Sequence, residues 1–217
     1  MADNVARYGF RWVRGLDGGK PMPVVEEHTV ATAASFDVNG GAQNVLLRKG
    51  DPVIQLADGS MDLCDGAEGA GGALVPYGIC VGIKQYYDGS RLRVSPEYLP
   101  SDIAWGTLRE RRSAIFVMPI SAGVWEIDAD DAVTATTEAA YEALVGSNID
   151  FRLSGLVNEL YANPRGDIST TNTTNTLMLR IIAISKTVEN SDFTGNFVKL
   201  HVIANRAQRP WSSATGL

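Results

Sequence analysis

Polar and apolar positions alternate with a two-residue period at several places along the chain. The clearest case is Gly123-Val124-Trp125-Glu126-Ile127-Asp128-Ala129-Asp130. Successive side chains of a strand point to opposite faces, so Trp125, Ile127 and Ala129 share one face and Glu126, Asp128 and Asp130 the other. That pattern predicts a half-buried strand with its acids in water. Residues 197–205 read the same way, with Val198, Leu200, Val202 and Ala204 aligned. Ala114-Ile115-Phe116-Val117-Met118 is instead a continuous apolar run closed by Pro119, the signature of a strand buried on both faces. Residues 177–184 give another strongly apolar strand. Weaker strand patterns lie at residues 24–32, 45–47, 53–56 and 77–83.

Between these runs the chain is punctuated by turn chemistry. Asn39-Gly40-Gly41, Lys49-Gly50-Asp51-Pro52, Asp58-Gly59-Ser60 and Asp88-Gly89 combine residues that tolerate or impose turn dihedrals. Four glycines within residues 66–72 read as a mobile loop, residues 96–105 as irregular, residues 166–176 as a polar tract, and residues 190–196 as a loop. One helix is expected, over residues 137–145, where Ala139, Ala140, Ala143 and Leu144 favour helix and Gly146 is placed to end it. Frequent short strands with turns between them make the fold class mostly β, an antiparallel barrel or sandwich with one short helix. Residues 1–20 read as an extended N-terminal arm, and residues 21–208 as a β-rich domain, either single or as two β subdomains dividing near residues 90–112. Residues 209–217 read as a loose tail.

Length and charge narrow the function. The chain has 217 residues, 45% of them hydrophobic, enough for one substantial core or two small ones. Its net charge of −6 argues against non-specific binding to nucleic acid or to an anionic membrane. No run approaches the ~18 apolar residues of a membrane-spanning helix. The start lacks the charged-then-apolar pattern of a signal peptide, so a soluble protein made in the cytoplasm is expected. Cys64 and Cys80, the two cysteines, are then expected as free, partly buried thiols.

Constellations for chemistry are sparse. His28 and His201 each fall inside an expected strand, no G-x-S-x-G occurs, and two histidines with two distant cysteines make a poor zinc set. Asp128-Ala129-Asp130-Asp131 invites a calcium reading, but an EF-hand loop would need an oxygen ligand where Ala132 stands and glycine where Val133 stands. The glycines of residues 66–72 fit neither a phosphate-binding loop nor a dinucleotide fingerprint. Arg109-Glu110-Arg111-Arg112 reads as a solvated turn. Trp105, Trp125 and Tyr86-Tyr87 are the aromatics that a carbohydrate-binding face would use, and core packing explains them more simply. No catalytic residue, metal or cofactor is expected.

The order of segments carries a resemblance. Gly9-Phe10-Arg11-Trp12-Val13-Arg14-Gly15-Leu16-Asp17-Gly18 resembles the G-F-R-P-V-R-x-L-D-G opening of a group of tailed-phage head decoration (cement) proteins, with Trp12 where the group has proline. Gly50-Asp51-Pro52-Val53 resembles its G-D-x-V strand, Gly78-Ile79-Cys80-Val81-Gly82 its G-x-x-V-G strand, and residues 198–205 its apolar ending. The resemblance implies a β-barrel, β-tulip-like or sandwich fold and a place on the outside of the virion. The implied partners are the major capsid protein and copies of the chain itself, a trimer before a dimer. Alternatives are another virion component, such as a head-fibre base or tail accessory protein, or a carbohydrate-binding β module.

The opening segment is the candidate site. Arg7, Tyr8, Phe10, Arg11, Trp12 and Arg14 mix arginines with aromatics inside an acidic chain, and those residue types are enriched at interface centres. The expectation is an arm that orders on docking across a neighbouring subunit or the capsid protein. The competing reading has Phe10 and Trp12 closing the protein's own barrel.

Overall fold

The structure, a computed structural model, describes residues 9–16, 25–30, 45–55, 59–64, 76–88, 91–94, 98–100, 114–130, 136–153, 164–173, 176–190, 192–194 and 197–205. In chain order the strands are β1 (Arg11–Gly15), β2 (Glu26–Thr29), β3 (Val45–Arg48), β4 (Pro52–Gln55), β5 (Met61–Leu63), β6 (Gly78–Asp88) and β7 (Arg91–Arg93). They continue with β8 (Tyr98–Pro100), β9 (Ala114–Pro119), β10 (Gly123–Asp128), β11 (Asn148–Leu153), β12 (Pro164–Asn172), β13 (Leu179–Ile184) and β14 (Lys199–Ala204). The helix α1 (Glu138–Glu142) precedes β11. The fold is mostly β, as the alternation indicated.

Two antiparallel sheets organise these strands. One runs β1-β10-β14-β13-β11-β12; the other runs β2-β9-β6-β4-β5, with β7 also paired to β6, and β3-β8 forms a separate pair. β1 and β2 lie in different sheets, and the chain returns to the first sheet at a 3-10 turn, Ile120–Ala122, between β9 and β10. This lies C-terminal to the 90–112 segment expected to divide the molecule. The turn is pinned from both sides: the Ile120 amide donates to the Tyr77 carbonyl at 3.1 Å, and the Trp125 indole donates to the Ile120 carbonyl at 2.7 Å.

The first sheet curls until the end of β10 meets the start of β12. There a lone parallel bridge joins Ala129 to Gly166, with the Asp130 amide donating to the Gly166 carbonyl at 2.9 Å. A bridge is not a ladder, so the barrel stays open and the arrangement is sandwich-like. Inside the curl lie Trp125, Ile127, Ala129, Ile149, Phe151, Leu179, Ile181, Leu200, Val202 and Ala204, joined by Ile54, Cys64, Ile79 and Met118 of the second sheet's region. The second sheet buries its other face as well, around Val53, Met61, Cys80, Ile115 and Val117. The β9 run, apolar at successive positions, feeds both cores, as do β4 and β6.

Local signals account for most boundaries. The Thr137 hydroxyl caps α1 by accepting from the Ala140 amide at 3.2 Å, and Gly146 takes a φ of 94° just past the helix, where a side chain would be strained. β6 and β7 form a hairpin with Asp88 opposite Arg91, as Asp88-Gly89 suggested. The polar tract is the main difference: residues 164–172 form a nine-residue strand. Ile168 is its one large apolar side chain, and its pairing with β11 rests on backbone hydrogen bonds instead of an apolar face.

Candidate functional site

Of the opening segment the structure describes residues 9–16, and these are not free of the sheet. β1 pairs antiparallel with β10, with Arg11 opposite Glu126 and Trp12 opposite Trp125. Phe10 is 4% exposed and meets the rings of Trp125 and Phe151 edge-on, at 6.5 and 5.7 Å between centroids. Trp12 packs edge-on against Trp125 at 5.4 Å. These residues close the chain's own core, which is the competing reading of the segment. The cause is energetic: a buried aromatic gains far more from apolar neighbours in its own chain than from water.

A register shift between Trp12 and Arg14 then resets the alternation, so that Arg11 and Arg14, three residues apart, are both exposed. Gly123 makes this edge possible, because a methyl group there would collide with the Trp12 ring and the Arg14 carbonyl. Arg7 and Tyr8 lie outside the described residues.

Behind Arg11 runs a row of acids that the alternation assigned to solvent. Glu126, Asp128 and Asp130 are 5%, 6% and 2% exposed, so that expectation is corrected. They do face away from the apolar core, but β10 is flanked by strands on both sides and basic side chains close over it. Arg11 bonds Glu126 at 2.5 Å, the Ser185 hydroxyl donates to the other carboxylate oxygen at 2.9 Å, and His201 lies 3.5 Å from it. Asp128 stands opposite Lys199 on β14. Asp130 meets Arg152 at 2.8 Å and accepts from the Ile168 amide at 3.1 Å. Arg165, on the same side, lies over the Phe197 ring at 4.3 Å.

The electrostatics separate two of these acids. Burial pushes Glu126 up, but His201, Ser185 and Arg11 outweigh it and hold the carboxyl below its ordinary value. Burial dominates at Asp128; Lys199 opposes it and Glu126 adds to it, leaving the group at about 7. Glu126 and Asp130 are held in ion pairs with other strands, and among the described residues no three acid, histidine or cysteine groups are placed to hold a metal ion.

Two smaller clusters stand on the other sheet. Tyr77 donates its hydroxyl to Glu26, which also meets His28 Nε2 at 3.0 Å, and the His28 and Tyr77 rings touch edge-on. The hydrogen bonds from Tyr77 and His28 lower Glu26, while burial and Glu26 raise Tyr77 to about 12. This ties the edge strand β2 down to the start of β6. Asp51 is buried in the turn before β4, accepts from the Arg48 amide at 2.7 Å, and is raised by that burial to about 7. Cys64 and Cys80 are buried thiols not joined by a disulfide, and they belong to different cores. Burial, then Asp51, pushes the Cys80 thiol upward, away from the reactive thiolate.

The segments that carry the resemblance meet in space. The Phe10 amide donates to the Gly50 carbonyl at 2.9 Å, the Gly50 amide to the Cys80 carbonyl at 2.7 Å, and the Cys80 amide to the Asp51 carbonyl at 2.8 Å. A side chain at Gly9 would strike the Gly50 carbonyl and Pro164. Three stretches distant in sequence thus form one backbone junction between the two sheets. Of the aromatics considered for a carbohydrate face, Trp125 is fully buried. Trp105, the glycines of residues 66–72, Arg109 to Arg112 and the tail lie outside the described residues, as do the side chains of Tyr86 and Tyr87. Comparison with protein-family models, with curated proteins and with solved structures finds no match for this chain.

Proposed function

We propose that the chain is a virion structural protein that binds the outside of a tailed-phage capsid and stabilises the lattice. The observation that supports this reading is the junction just described. The Gly9-Phe10 opening, the Gly50-Asp51 turn and the Gly78–Gly82 strand resemble one family's segments in sequence order, and here they hydrogen-bond to one another. Short motifs scattered by chance have no reason to converge. A β frame with two sizeable cores suits a protein whose task is to hold a shape against a lattice.

The contact surface on this reading is the edge of β1, not its aromatics. Phe10 and Trp12 serve the core, whereas Arg11 and Arg14 are exposed along the strand that ends the curled sheet. Exposed arginines offer planar, charge-assisted hydrogen bonds to acidic residues of a capsid surface. Copies bound at a lattice of local threefold and twofold positions take the symmetry of their site, and a trimer is the assembly we propose.

Co-sedimentation tests the reading. Purified protein mixed with heads of the encoding phage that lack it should pellet with them at a saturable, fixed ratio. Replacing Arg11 and Arg14 together by glutamate should weaken binding about tenfold or more, in line with interface arginines. Protein that stays in the supernatant at every head concentration would overturn the proposal.

A further inference from the structure

Large apolar side chains left in water are few among the described residues, and four of them fall at two places. Leu92 and Val94, 54% and 72% exposed, belong to the β6–β7 ribbon. β9 begins at Ala114, opposite Gln85, so among the described residues Tyr86–Asp88 pair with β7 alone. Residues two apart on an extended chain share a face, which puts Leu92 and Val94 side by side. Arg93 lies exposed between them and Arg91 opens the strand, in a chain whose net charge is −6. Val145 and Val188, 42% and 91% exposed, stand at the α1 side of the molecule. The Val145 amide donates to the Glu142 carbonyl at 3.1 Å, just past the helix. Val188 follows Lys186 by two residues, and the Lys186 ammonium bonds Glu138 at 2.5 Å and Glu142 at 3.1 Å. Two carboxylates there share one lysine, which leaves an excess of negative charge beside the valines. We propose that these are the two halves of one contact between copies of the chain, in which the Leu92–Val94 segment of one copy docks on the α1 side of the next.

The occupant is a second copy because the two faces complement each other and neither is covered at home. Both are exposed in the single chain, so its own ribbon does not lie on its own α1. Apolar side chains meet apolar side chains, and the cationic ribbon meets surplus carboxylate. Two ribbons together, or two α1 faces together, would set like charges against each other. Arg93 has a contact in its own chain already, and a guanidinium with five N–H donors can take a further carboxylate. The outer edge of β7 pairs with no other described strand, so backbone donors and acceptors stand at the same place. A contact between two different faces is heterologous: each copy gives one half and receives the other, and the series closes into a ring where the rotation allows. Three copies make the ring of the capsid reading. The inference rests on that reading only for the number three. β1 and its arginines take no part, so self-association and capsid binding are separate measurements.

Sedimentation velocity on the full chain, without capsids, reads the assembly. Wild-type protein should sediment as a trimer at micromolar concentration. Leu92→Glu with Val94→Glu spoils one half of the contact, and Val145→Glu with Val188→Glu spoils the other. Each pair should raise the concentration for half-dissociation about tenfold or more, as at other interface centres. All four positions are exposed, so both variants should keep the wild-type urea midpoint. Serine at the same positions serves if a glutamate pair fails to fold. Mixing the two variants is the sharper reading. One intact ribbon then meets one intact α1 face, and at higher concentration the mixture should give a heterodimer that grows no further. Wild-type protein that stays monomeric, a ribbon variant that still forms trimers, or a mixture no larger than its parts would overturn the contact. A monomer that still pellets with phage heads would overturn the contact and leave the capsid reading standing.

Discussion

Gly123 shows how much one missing methyl group can decide. It opens β10 at the point where the chain leaves the 3-10 turn, and it faces Gly15 of β1 in the register. The Trp12 ring lies over it and the Arg14 carbonyl beside it, so a Cβ atom has no place to go. The backbone carbonyl is fixed by the strand, and the indole is held edge-on against Trp125. Gly123→Ala therefore has no low-cost relaxation. Urea unfolding should show a loss of about 1–3 kcal/mol, the range for overpacking a filled site. An unchanged midpoint would mean that β1 sits elsewhere. Asp128 is the complementary residue-scale case, a charge covered by side chains that the local sequence does not contain.

At the scale of elements the same strand carries the argument. Removing residues 1–14 deletes most of β1 with Phe10 and Trp12, stripping cover from Trp125 and Phe151. The truncated chain should lose about 3–5 kcal/mol or more, the cost of deleting a buried aromatic, as a lower unfolding midpoint or failure to fold. A truncated chain as stable as the whole would restore the free arm. Strands with an apolar face were legible in the sequence: β9, β10 and β14 each announce themselves by alternation or a continuous apolar run. β12 was not, because Ser169, Thr170, Thr171 and Asn172 give no periodic face and its strand form is set by β11. The acid row was read on the correct face with the wrong environment. Arg11 lies 115 residues from Glu126, and nothing local to β10 shows that a cation will cover it. The pairing of residues 11–15 with β10 was not legible for a related reason, since arginines alternating with aromatics look alike at an interface and on an edge strand.

The whole molecule should become more stable on mild acidification. Asp51 and Asp128 are raised by burial to about 7 in the folded chain, against about 3.9 for an unfolded aspartate. Folding then costs more as pH climbs from about 4 to about 7, and the cost levels off above that. Glu26 and Glu126 act in the opposite sense. Tyr77 and His28 lower the first, and the partners of the second outweigh its burial, so their contribution is lost as pH falls through their depressed folded values. The maximum should lie at about pH 4–4.5, with stability at pH 8 lower by on the order of 5–8 kcal/mol. Asp128→Asn should raise the urea midpoint at pH 8 and flatten the profile, and a midpoint that climbs steadily toward pH 8 would contradict this. The functional reading then turns on where the molecule sits. A cryo-electron microscopy reconstruction of the encoding phage's head tests it most directly. The expected result is density outside the capsid lattice that fits this two-sheet molecule, in symmetric copies, with the β1 edge and its arginines against the capsid protein. A bare head surface, or the chain found only elsewhere in the particle, would contradict it.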